Sequence, residues 1–167
     1  GSKQGEYIGG AAESWETSED GKTFPMADKL IEVAKLYGFD GWFINQETEG
    51  SEKEPLSPEH VQKMQEFIKY MKSQAPELRV IYYDSMTSEG KMDWQNALTD
   101  KNSMFLSDEE GNAVADEMFL NFWWTEDELA SEELIKASAK KAEELGLDPY
   151  QVFAGVDIQA DGYMTPI

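Results

Sequence analysis

The sequence contains no cysteine and a single histidine, His60. Without thiols there are no disulfides, no thiolate nucleophile and no Cys-ligated zinc. The compartment stays open on that ground, because many bacterial secreted proteins also do without cysteine. A lone histidine argues against a His-based triad or a multi-His metal site. Its setting in the polar run Ser57-Pro-Glu-His60 reads as an exposed position near a helix start. No apolar run approaches the roughly 20 residues needed to span a bilayer, and no signal peptide is visible. Cations are also scarce: 14 Lys and Arg stand against 34 Asp and Glu, for a net charge of −20. That field repels phosphate backbones and anionic membrane surfaces, so neither nucleic acid nor membrane is expected as a partner. It suits a neutral or cationic ligand, or serves only solubility. The opening Gly1-Ser2 reads as a scar of tag removal, which leaves the native start and any leader open.

What is present is enough for one domain. The chain has 167 residues, 40% of them hydrophobic and 12% aromatic, which fits a folded core and excludes disorder. Three helices carry boundary signals. The first has Pro25 in its first turn, Leu30, Val33, Ala34 and Tyr37 on one face, and Gly38 as a stop. The second opens at Ser57-Pro58, presents Val61, Met64, Phe67, Ile68 and Met71, and ends before Pro76. The third opens at Thr125, where Thr125-x-x-Glu128 matches a capping box, or at Ser131. Its apolar face runs Leu134, Ile135, Ala139, Ala142 and Leu145, closed by Gly146 and Pro149.

Between the helices lie four short apolar runs rich in aromatic and β-branched residues: 39–45, 80–84, 118–123 and 152–158. The alternation predicts an α/β fold with a parallel sheet and crossover helices. One connection stands apart, a long polar stretch over 85–117 without a clear amphipathic helix; loops of that length in compact domains are usually functional. No repeat or heptad pattern occurs. The runs at Asp108 to Asn112 and Asp157 to Gly162 hint at calcium loops but lack the full ligand spacing, so no metal and no cofactor is expected.

Side chains alternate across a strand, which places Phe43, Asn45 and Glu47 on one side of the first strand and Trp42, Ile44 and Gln46 on the other. Asn45 and Glu47 then leave the same edge with Cα atoms roughly 6.6 Å apart, at the carboxyl end where parallel α/β folds and barrels put catalytic groups. Trp42 and Phe43 add apolar surface, the kind of surroundings that keep a carboxyl protonated long enough to act as an acid. An ordinary glycosidase needs a second carboxylate opposite its acid. Here the partner position holds an amide, which can orient and polarise but cannot serve as a base. The pattern fits a sugar that brings its own nucleophile, a 2-acetamido group attacking its own anomeric carbon. Alone, Asn-x-Glu is a common strand end pointing to water.

The wider context is more specific. Tyr37-Gly-Phe-Asp-Gly-Trp-Phe-Ile-Asn-Gln-Glu47, with Tyr82-Tyr-Asp-Ser-Met86, Trp94-Gln-Asn96, Asn121-Phe-Trp-Trp124 and Phe153-Ala-Gly-Val-Asp157, resembles glycoside hydrolase family 85, the endo-β-N-acetylglucosaminidases of N-linked glycans. The resemblance covers nearly the whole chain. It implies a (β/α)8 TIM barrel of which residues 3–167 supply about four of eight strands, with the remaining barrel segments of the parent chain as partners. It implies Glu47 as general acid/base, Asn45 as the group orienting the acetamido nucleophile, and Tyr83 placing its hydroxyl against the same group. Trp94, Phe122 and Trp123 would form aromatic walls around the sugars, which present flat C–H patches to ring faces. Asp157 would play a supporting polar role. The resemblance further implies an N-glycan partner and an extracellular or cell-surface location in a bacterium. Two rivals stand beside it. A chitinase-like frame fits Phe39, Asp40, Gly41 and Glu47 but departs at Phe43 and Asn45, which leaves Asp40 a structural residue bonding nearby backbone. The short length also fits a carbohydrate-binding piece without turnover.

Overall fold

Prolines at helix starts and left-handed glycines at their ends set the element boundaries in the computed structural model, which describes residues 16–50, 55–123 and 131–156. Helix α1 (Pro25–Tyr37) begins on Pro25 and stops at Gly38, whose φ of 73° suits a residue without Cβ. Its buried face is Ala27, Ile31 and Ala34, not the expected face ending in Tyr37. Small alanines carry little weight in a hydrophobic reading, yet they let α1 lie close against its neighbour. Tyr37 is instead exposed and stacks on Phe39, with ring centroids 5.8 Å apart.

Helix α2 (Pro58–Gln74) buries all five expected residues, Val61, Met64, Phe67, Ile68 and Met71. His60 is not a loose surface residue: it is half-buried, and its Nδ1 accepts from the Ser57 amide at 3.1 Å, closing a capping box. Helix α3 spans Ser131–Glu144. The expected capping box at Thr125 to Glu128 lies outside the described residues. Ser138 and Ala142 turn inward, whereas Ile135, expected on that face, is exposed.

The four strands are β1 (Gly41–Ile44), β2 (Arg79–Tyr83), β3 (Glu117–Phe119) and β4 (Val152–Phe153), all parallel in the order β1-β2-β3-β4. Each strand neighbours the next without a reversal. That is the winding of a (β/α)8 barrel, since a doubly wound sheet reverses its order at a switch point. The chain therefore contributes four consecutive barrel strands. Val80, Tyr82 and Met118 are fully buried beneath the outer layer. Phe43, Tyr83 and Phe119 line the opposite face, which is the interior of such a barrel. Gly41 is required at the start of β1: a Cβ there would lie 1.9 Å from the Arg79 carbonyl oxygen.

The strands are shorter than expected. Asn45 and Glu47 follow β1, and Phe122 and Trp123 lie beyond β3, after Asn121 turns the chain at a φ of 80°. The crossover from β2 to β3 is irregular, as its lack of a helical period implies. No α-helix forms over 84–116; a 3₁₀ turn (Ser103–Phe105) and buried Leu98, Leu106 and Val114 cover the sheet in its place. The Phe105 ring stacks on Tyr82 with centroids 4.1 Å apart.

Candidate active site

Two neutral donors converge on Glu47 at the carboxyl end of the sheet. Asn45 Nδ2 donates to Glu47 Oε2 at 3.2 Å, so the alternation that puts both residues on one side is realised. Tyr83, at the end of β2, sets its hydroxyl beside the same carboxylate, and Trp94 stands next to that hydroxyl. Burial first, then the Glu47 charge, pushes the Tyr83 hydroxyl well above the ordinary tyrosine range. It stays protonated, and therefore a donor, across neutral pH. Asn45, Glu47, Tyr83 and Trp94 thus meet at one point, drawn from the ends of two strands and the long crossover.

An aromatic run leads away from them. Phe43 and Tyr83 have centroids 5.9 Å apart, Tyr83 and Phe119 5.7 Å, and Phe119 and Phe122 5.3 Å. Phe122 is 41% exposed, Trp94 47% and Trp123 52%, so all three offer ring surface to a ligand. Trp42 does not belong here. Its Nε1 donates to the Leu30 carbonyl of α1 at 3.0 Å, on the opposite face, so Phe43 alone of that pair flanks Glu47. Asp157 lies outside the described residues. Asp40 contributes its backbone: its carbonyl accepts from the Arg79 amide at 2.9 Å.

Several supporting residues escape a reading of the sequence. Phe119 is one, hidden inside a strand-like apolar run. Gly155 is another: a Cβ there would stand 2.4 Å from the Phe119 ring and 2.7 Å from Phe122, so only glycine lets those rings pack. Its amide donates to the Asn121 carbonyl at 2.9 Å. Asn121 Oδ1 accepts from the Phe122 amide at 2.8 Å, which fixes the turn presenting Phe122. Asp84 is fully buried directly after Tyr83, and its partners Asn96 and Asn102 lie in the crossover, where no period in the sequence points to them. The calcium-like run at Asp108 is a turn. Its carboxylate accepts from the Glu110 and Asn112 amides at 3.0 and 2.7 Å and pairs with Lys69. The second such run, at Asp157, lies outside the described residues.

Residues 6–166 match the family described as glycosyl hydrolase family 85. The chain is 34% identical over 140 residues to a cytosolic endo-β-N-acetylglucosaminidase of Danio rerio, covering 81% of this chain and 17% of the relative. It is 35% identical over 136 residues to the cytosolic endo-β-N-acetylglucosaminidase 1 of Arabidopsis thaliana, covering 81% of this chain and 18% of that protein. The crystal structure of the Endo-D glycoside hydrolase domain from Streptococcus pneumoniae R6 superposes with a TM-score of 0.80 at 35% identity, over 93% of this chain and 24% of that one. The chain thus spans less than a fifth of the length of these curated relatives. Their names correct one expectation. Relatives from fish, plant and mouse are described as cytosolic, which overturns the assignment to a bacterial exterior, although the Endo-D neighbour is bacterial.

Proposed function

Because the chain belongs to glycosyl hydrolase family 85, we propose that it supplies the acid/base strand of an endo-β-N-acetylglucosaminidase acting on the GlcNAc-β1,4-GlcNAc core of N-linked glycans. The observation that carries this reading is the meeting of Asn45, Tyr83 and Glu47 at one strand end. Glu47 protonates the glycosidic oxygen as the bond to the anomeric carbon breaks. The carbonyl oxygen of the substrate's 2-acetamido group attacks that carbon and forms an oxazolinium ion that keeps the amide N–H proton. Glu47, now ionised, takes a proton from the water that reopens the ring, so the anomeric configuration is retained. Asn45 offers both a donor and an acceptor to the acetamido group, and the Tyr83 hydroxyl donates to its carbonyl. In the free chain Asn45 rests on Glu47 with Tyr83 beside it, and both are available when substrate arrives.

The aromatic run over Phe43, Phe119, Phe122 and Trp123, with Trp94 opposite, supplies ring faces for the sugars. Phe43 and Asn45 stand where a chitinase-like frame requires aspartates, which favours this reading over that rival. The decisive comparison uses Asn45→Ala in an active polypeptide carrying these residues. Hydrolysis of intact glycan should fall about 10²-fold, while turnover of a preformed sugar oxazoline changes far less. Unchanged hydrolysis in Asn45→Ala contradicts the substrate-assisted route. Glycan binding without any turnover supports a binding module instead.

A further inference from the structure

Directly after Tyr83 the chain buries a carboxylate for which the reaction above has no use. Asp84 is 0% exposed and sits at the floor of the crossover. Its Oδ2 accepts from the Asn96 amide at 2.5 Å and its Oδ1 accepts from Asn102 Nδ2 at 2.7 Å. On the other side of Trp94, the Asp93 amide donates to the Ser85 carbonyl at 3.0 Å. Trp94 is therefore bracketed: the residue before it is tied to Ser85, and Asn96, two after it, to Asp84. The Ser85 hydroxyl in turn donates to the carbonyl of Gln46, the residue between Asn45 and Glu47.

Asn96 adopts a φ of 52°, in the left-handed region, which asparagine tolerates better than other residues with a Cβ and which turns the chain sharply after Trp94. No side-chain bond compensates from its own amide oxygen: Asn96 Oδ1 is buried without a hydrogen-bond partner. The carboxylate of Asp84 is the group that meets this turn. Asn102, which bridges Asp84 to the Ala97 carbonyl (2.9 Å) and receives the Thr99 amide (2.8 Å), holds the turn from behind.

We propose that Asp84 is a positioning residue for the sugar site: it clamps the 93–96 turn so that Trp94 is held against Tyr83, while the adjoining Ser85 ties the same strand end to the Asn45–Glu47 segment. The proposal rests on the enzymatic reading above, in which Trp94 walls the sugar. Asp84 touches neither substrate nor reacting atoms; it acts through Trp94. Both of its oxygens are acceptors, so an amide at this position sets an NH2 against one of the donors whichever way it is turned.

The test is a double-mutant cycle on an active polypeptide carrying these residues, combined with amide hydrogen exchange. Asp84→Asn should raise KM about ten-fold with kcat within about two-fold, since it loosens a wall and leaves the acid/base in place. In the Trp94→Ala background the same substitution should raise KM no further. Exchange should quicken at the 93–96 amides and stay unchanged in β1 and β2. Additive losses of Asp84→Asn and Trp94→Ala, an unchanged KM, or exchange quickened across the whole sheet overturns the clamp. If Asp84→Asn does not fold, Asn102→Ala, which leaves the carboxylate and its bond from the Asn96 amide in place, is read by the same criteria. An unaltered polypeptide without turnover defeats the enzymatic reading, and the exchange pattern then judges the clamp by itself.

Discussion

At the carboxyl end of β1 a single carboxylate accepts an amide beside a phenol, and the end of β2 keeps a second carboxylate wholly out of water. Glu47 is partly exposed; Asp84 is buried and meets backbone. Burial pushes the Asp84 carboxyl up to about 7, against the bonds from Asn102, Asn96 and Gln95 that pull it down. The folded chain therefore holds this proton over a range, about pH 4 to 7, in which the unfolded chain has released it. Native protein binds the extra proton, so the contribution of Asp84 to stability is fully present below its unfolded value, about 4, and is lost as pH rises to its folded value, about 7. The stability of the unaltered protein relative to Asp84→Asn should decline between about pH 4 and about pH 7 in denaturant titrations. A relative gain over that interval contradicts the assignment. Of these two carboxylates, Glu47 was legible from strand alternation and the motif around it. Asp84 was not, because its partners lie 12 and 18 positions downstream, in a loop with no period to read.

Among the elements, α2 was readable to the residue. Its apolar face follows the helical repeat, and Ser57-Pro58 marks its start. The 84–116 crossover was the least readable. Its buried residues Leu98, Phe105, Leu106 and Val114 fall at irregular intervals between polar ones, so neither a helical nor a strand period emerges. They nonetheless occupy the place of a crossover helix and carry Trp94 to the site. Phe105 is the anchor of that layer, stacked on Tyr82 and fully buried. Phe105→Ala should cost about 3–5 kcal/mol of unfolding free energy by thermal or chemical denaturation. A loss below about 1 kcal/mol would show that the crossover does not depend on this contact. The strand ends were also misjudged. Apolar residues continue past Phe119 through Phe122 and Trp123, but Asn121 at positive φ ends the pairing and turns those rings toward the site.

For the whole molecule, strand order decides the architecture more firmly than any single contact. Four parallel strands in sequential order, layered on one side by α1, α2, the crossover and α3, form a continuous arc of a (β/α)8 barrel. The arc gathers residues more than 70 positions apart, from Phe43 to Phe122, along one aromatic face. Charge acts at the same scale: at −20 the molecule disfavours anionic ligands and leaves a neutral glycan unhindered. The central claim is that this arc carries the acid/base of an endo-β-N-acetylglucosaminidase. Mass-spectrometric measurement of N-glycan released from a glycoprotein, by an active polypeptide carrying these residues and by its Glu47→Gln variant, tests it most directly. The expected result is cleavage between the two core GlcNAc units, reduced about 10²–10⁴-fold or more by Glu47→Gln. Release that persists undiminished in Glu47→Gln contradicts the account.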